Sequence, residues 1–127
     1  MVGAVSAPVR VVIVEDNEVY RSSLELLLGM QEGIEIVGVA ETARAAEAMV
    51  VELQPGVAVV DFRLPDSDGV ETTTVLRSLD PRPAVICLTA EATEEEGDAV
   101  IAAGAAALVE KGVPIVDLAS VIRSVVV

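Results

Sequence analysis

Five short runs of apolar, largely β-branched residues alternate with stretches of helical character, and this alternation limits the chain to few architectures. A strand that is apolar on both faces must be covered on both, which a βα repeat achieves by packing helices on either side of a parallel sheet. The runs are Val9 to Val14, Ile34 to Val39, Val57 to Val60, Ala84 to Thr89 and Ala106 to Val109. The first is β-branched almost throughout and is expected to be buried on both faces. Glu35 and Gly38 mark the second as less buried, which suits an edge.

The intervening segments carry helix punctuation. Asn17 is placed to cap a first helix, Glu18 favours its positive end, and Gly29 is expected to close it. Thr42 caps an Ala-rich second helix that runs to about Leu53, where Gln54-Pro55-Gly56 breaks it. Asp68 with Glu71 predicts the start of a third helix through Ser78. Thr93 with Glu96 has capping-box spacing for a fourth, which should run to Ala103 and stop at Gly104. Pro114 suits the first turn of a last helix bearing Ile115, Leu118, Ile122 and Val125 at helical spacing. That helix ends in Val125-Val126-Val127 with no glycine, basic residue or polar cap, from which a truncated chain is expected.

A chain of 127 residues, 53% hydrophobic, has room for one core. We expect a frayed tail over residues 1–8 and a single domain over 9–127. A net charge of −13 with scattered arginines disfavours direct nucleic-acid binding, which needs clustered cations, so DNA would be reached only through another domain. No apolar stretch approaches a membrane span, and no basic, secretory type of leader precedes the first strand. The single Cys87 cannot form an internal disulfide and reads as a small buried hydrophobe, consistent with a cytoplasmic setting. With no histidine in the chain, zinc sites and His-based triads are disfavoured, and the chain cannot carry a phosphohistidine.

The chemistry lies at the ends of the strands. Glu15-Asp16 follows the first, Asp61 the third, Thr89 ends the fourth, and Lys111 follows the fifth. In a parallel sheet these groups converge on the edge where open α/β folds bind ligands. Carboxylates about 4 Å apart repel by roughly 4 kcal/mol at an effective dielectric near 20, so a cation must compensate. Hard oxygen donors on one side suit Mg²⁺, which keeps waters and accepts substrate oxygens. A carboxylate can attack a phosphoryl group if the equatorial oxygens are neutralised, and Lys111, Thr89 and the metal would do so. Taken singly, Glu15-Asp16 would be a solvated loop and Lys111 a surface charge. Asp66 and Asp68 read as turn and cap residues, Tyr20 and Phe62 as packing residues, and Glu94-Glu95-Glu96 as a solvated helix start.

Glu15-Asp16, Asp61 with Leu64-Pro65 and Asp68-Gly69, Leu88-Thr89-Ala90, Ala103-Gly104-Ala105 and Lys111, in that order and spacing, resemble the receiver domain of bacterial two-component response regulators. The resemblance covers about residues 9 to 127. It implies a flavodoxin-like (βα)5 fold with a doubly wound parallel sheet of order 2-1-3-4-5, and phosphorylation of Asp61 by the phosphohistidine of a sensor histidine kinase. It further implies Mg²⁺ held by Asp16, Asp61 and the backbone carbonyl of Arg63, with Glu15 acting mainly through water, and Thr89 and Lys111 binding the phosphoryl group. Asp61-Phe62-Arg63-Leu64-Pro65, and Gly112 after Lys111, look most like the branch with a C-terminal helix-turn-helix output domain that controls transcription.

Leu108 departs from the family pattern, which has Tyr or Phe in the fifth strand. It is expected to stay packed whatever the phosphorylation state. The signal would then pass through backbone shifts of the segment after Thr89 to the face of the fourth helix, fifth strand and last helix, a candidate homodimer surface, or would hardly be read out at all. Arg63 and Glu91, each two residues beyond Asp61 and Thr89, are expected to pair across the mouth of the site. Three alternatives remain: a phosphorylation-independent scaffold or dimerisation module, an aspartyl-nucleophile phosphohydrolase, and a nucleotide or flavin binder. The phosphohydrolase lacks a second Asp two residues after Asp61. The nucleotide binder lacks a Gly-rich loop after the first strand.

Overall fold

The computed structural model describes residues 7–126, so Met1 to Ser6 of the expected tail, and Val127, lie outside it. Five parallel strands form the sheet: β1 (Val9–Val14), β2 (Ile34–Ala40), β3 (Val57–Asp61), β4 (Ala84–Thr89) and β5 (Ala107–Glu110). Their spatial order is β2-β1-β3-β4-β5, the doubly wound arrangement expected. Helices α1 (Glu18–Gly29), α2 (Ala43–Leu53), α3 (Gly69–Arg77), α4 (Glu94–Ala102) and α5 (Ile115–Ser124) connect or follow them. Among the described residues no helix is long and apolar enough to cross a membrane.

The period of two along each strand sorts side chains onto two faces. Val11, Ile13, Val57, Val59, Ile86 and Leu88 pack with Leu24 and Leu28 of α1 and Leu118 and Ile122 of α5. Val12, Val14, Ala58, Val60 and Val85 face Ala46 and Val50 of α2 and Leu76 of α3. A third cluster, Phe62, Cys87, Val100 and Ala105, fills the space below α4, with Val70 and Leu108 against it. β1 is inaccessible from Val11 onward because it has a strand on each side and helices on each face, whereas β2, at the edge, exposes Glu35.

The expected caps form at Asn17, Thr42 and Asp68, and Thr93 with Glu96 makes a full capping box. Gly29 does not close α1. The helix includes it and Met30 is the right-handed cap, while the positive φ falls at Gly33 (79°), where the chain turns into β2. α2 ends on Gln54 in the left-handed region, and Arg10 of β1 donates to the carbonyls of Leu53 (2.7 Å) and Gln54 (3.2 Å). Pro114 sits one position earlier than expected, as the N-cap of α5.

Candidate functional site

The register carries the acidic groups to one end of the sheet. Val14 lies opposite Val60 and Asp61 opposite Leu88, so Glu15 and Asp61 leave adjacent strands side by side. Thr89 is opposite Glu110, and the Lys111 amide donates to the Thr89 carbonyl at 2.8 Å, which brings the lysine to the same end. The five groups expected to converge from the sequence are thus assembled.

Glu15 and Asp61 are only 1% and 7% exposed, while Asp16 is open to solvent. Carboxylate oxygens of these three acids lie within 4.8 Å of one another. Lys111 Nζ bridges the two buried ones, 2.8 Å from Glu15 Oε1 and 3.2 Å from Asp61 Oδ2. Burial pulls the Lys111 ammonium down, but its hydrogen bond to Glu15 and the charges of Asp61 and Glu15 outweigh this and leave its pKa raised. Glu15 also accepts from the Asn17 amide at 3.0 Å, and Asp61 Oδ1 accepts from the Arg63 amide at 3.2 Å. Three carboxylates face one ammonium, which leaves a net negative site that a small divalent cation with oxygen preference would fit.

Beside Asp61 opens a cleft of about 490 Å³ lined by Phe62, Arg63, Thr89, Glu91, Glu96 and Lys111 among others. Thr89 is buried, and its Oγ1 accepts from the Glu91 amide at 3.1 Å. Arg63 does not pair with Glu91. Its guanidinium reaches Glu96 at 2.9 Å and lies 5.3 Å from the Phe62 ring centroid. The reason is the capping box, which folds the Glu96 side chain back to the Thr93 amide and so presents a carboxylate already ordered on the cleft wall. Glu96 therefore belongs to the cleft, not simply to a solvated acidic helix start.

Two residues of α1 complete the site: Tyr20, which the sequence presents as a packing residue, and Arg21, which it presents as one of several scattered arginines. The Tyr20 hydroxyl donates to the Lys111 carbonyl at 3.2 Å, and Lys111 Nζ lies 4.9 Å from the centre of its ring. Burial raises the Tyr20 pKa; the Lys111 ammonium opposes this, and Glu15 and Asp61 add to it. Arg21 donates to the Glu15 carbonyl at 2.9 Å and pairs with Glu41 at 3.1 Å, pinning the β1–α1 turn to the end of β2. The Asn17 cap fixes the phase of α1 and turns positions 20 and 21 toward the strand ends, a signal the sequence did contain. Phe62 and Cys87 are buried as expected. Burial, with Asp61 and Asp68 nearby, pushes the Cys87 thiol to about 12.

Comparison with known proteins agrees with this geometry. Residues 11–123 match the response regulator receiver domain family. The DNA-binding transcriptional activator DevR/DosR of Mycobacterium tuberculosis is 37% identical over 117 residues, covering 92% of this chain and 54% of that protein. A protein-glutamate methylesterase/protein-glutamine glutaminase of Anaeromyxobacter dehalogenans is 33% identical over 111 residues, 87% of this chain and 32% of that one. The chain thus spans about half, or less, of the length of these relatives. The signal receiver domain of a NarL response regulator from Mycobacterium tuberculosis superposes with a TM-score of 0.89 at 24% identity, over 94% of this chain and 96% of that one.

Proposed function

This chain belongs to the response regulator receiver domain family, and from that premise we propose that it is a switch whose Asp61 accepts a phosphoryl group from the phosphohistidine of a sensor histidine kinase. One observation carries the proposal: a nearly buried carboxylate faces an open cleft, with an ammonium at 3.2 Å and two further carboxylates beside it. These 127 residues contain no histidine, so the phosphoryl group would come from a donor outside them.

In the transfer an Asp61 oxygen forms the P–O bond as the P–N bond of the donor breaks, the electron pair leaving with the imidazole nitrogen. Lys111 holds charge against the phosphoryl oxygens, exchanging part of its contact with Asp61 for them. Thr89 accepts from the Glu91 amide, which leaves its own hydroxyl hydrogen for an oxygen in the cleft. Asp16, Asp61 and the Arg63 carbonyl would hold Mg²⁺, with Glu15 acting through water. When bound, Mg²⁺ supplies the positive charge that lets a carboxylate approach a phosphoryl anion. Asp61 is a phosphoacceptor and not a turnover catalyst; slow autodephosphorylation is the only hydrolysis expected.

The output surface is the face of α4, β5 and α5, which would also serve as a homodimer contact. Transcription would be controlled in the cytoplasm through a separate DNA-binding domain, as the DevR/DosR match suggests. Leu108 favours a second reading, a scaffold that works without phosphate, because an aliphatic side chain packed against the Phe62 and Cys87 cluster offers no ring to move.

Acetyl phosphate with Mg²⁺ distinguishes the two. Intact-mass spectrometry should show a single added phosphoryl group that is absent in Asp61→Asn and without metal. A folded wild-type chain that stays unlabelled would leave the scaffold.

A further inference from the structure

Asp66 stands at the tip of the loop between β3 and α3, and its carboxylate leaves that loop to bind another element. Oδ1 accepts from the Ala43 amide at 2.9 Å and Oδ2 from the Arg44 amide at 3.1 Å. These are the first two N–H groups of α2, which no intrahelical carbonyl can satisfy. Thr42 takes the third, at Ala45 (3.1 Å), so the two side chains divide the helix end between them.

The loop that Asp66 ties down begins at the phosphoacceptor. Arg63–Leu64 pairs antiparallel with Ser67–Asp68, Arg63 opposite Asp68, so the Arg63 peptide lies in the short ladder whose turn carries Asp66. Packing holds only part of it. Leu64 enters the core, but below the tip a cavity of about 170 Å³ opens between α2 and α3, lined by Ala43, Asp66, Thr72 and Leu76 among others. The second strand of the hairpin is tied to α3, where Thr72 Oγ1 donates to Ser67 Oγ at 3.0 Å and Asp68 caps the helix, whereas Asp66 ties the tip to α2 across that cavity.

Resting on the phosphoacceptor reading above, we propose that Asp66 is a positioning residue for the cation site. By clamping the hairpin tip to α2 it fixes the direction of the Arg63 carbonyl, the one ligand of the proposed Mg²⁺ set supplied by flexible backbone. Asp66 touches neither the ion nor the phosphoryl group.

The test is Mg²⁺ affinity, from titration calorimetry and from metal-induced shifts of the Phe62 to Leu64 amides. Wild type should bind, and Asp66→Ala should bind about 10-fold more weakly, the lower end for groups that orient metal ligands from outside the coordination shell. Thr42→Ala removes the neighbouring cap of the same helix end and should leave affinity unchanged, which a purely structural role of that end would not predict. Asp66→Asn lacks the charge but keeps one oxygen for the Ala43 amide, and should retain most of the affinity. Equal weakening in Thr42→Ala, a loss in Asp66→Asn as large as in Asp66→Ala, or no weakening in Asp66→Ala would each overturn the proposal. Wild type that binds no Mg²⁺ would instead overturn the phosphoacceptor reading on which it rests.

Discussion

At the scale of single residues, the groups around Asp61 make stability depend on alkaline pH. Cys87 has its pKa raised by burial first, then by Asp61 and Asp68. A thiol that stays protonated when folded but ionises when unfolded loses stability as pH rises, here between the ordinary value of 9.0 and about 12. Lys111 acts in the same direction: its raised pKa stabilises the fold below the ordinary lysine value, and that contribution disappears as pH climbs through the higher folded value. The urea midpoint should therefore be lower at pH 10.5 than at pH 8, and Cys87→Ala should flatten part of that slope. Thr73 of α3 is fully buried, and its Oγ1 has no hydrogen-bond partner among the described residues. Thr73→Val removes the unsatisfied hydroxyl at nearly constant shape, so thermal melting should show no loss and a gain of up to about 1–2 kcal/mol. Asp61, Thr89 and Lys111 were legible because each follows or ends an apolar run. Tyr20 and Arg21 were less so, since their roles depend on how α1 packs against strand ends distant in sequence.

At the scale of elements, capping residues gave most helix starts, because an N-cap side chain and the amides it satisfies lie within four residues. The end of α1 was less visible, since Gly29 has no local requirement for a positive φ and Gly33 does. The partner of Arg63 was also misjudged, because two residues of separation from Thr89 placed Glu91 near the cleft without revealing that the capping box orders Glu96 first. The Arg63–Glu96 bridge spans from the end of β3 to the start of α4 across the cleft. Arg63→Ala and Glu96→Ala should both raise the autodephosphorylation rate of phosphorylated protein by opening the path of the attacking water. An unchanged rate in both would remove the bridge from the mechanism. Gly69 opens α3 where its neighbours leave no room: a Cβ there would lie 2.7 Å from the Phe62 ring and 2.9 Å from Cys87 Sγ. Gly69→Ala should cost about 1–3 kcal/mol in chemical denaturation, the range for overpacking a core.

At the scale of the whole molecule, strand alternation foretold the sheet and its helical cover, while the order of the strands followed from family resemblance and not from any one segment. What no segment could show is that the cluster around Phe62 and Cys87, with Leu108 against it, forms a compartment of its own under α4. Leu108 methyl resonances should shift little on addition of a beryllofluoride phosphoryl mimic, and a large rotamer change would restore an aromatic-like switch. Glu15 and the lysine that neutralises it are 96 positions apart in the chain. During synthesis on the ribosome, the aspartate and its acidic neighbours emerge well before that lysine. A nascent polypeptide that ends before Lys111 would therefore lack the ammonium that the proposed acceptor site requires.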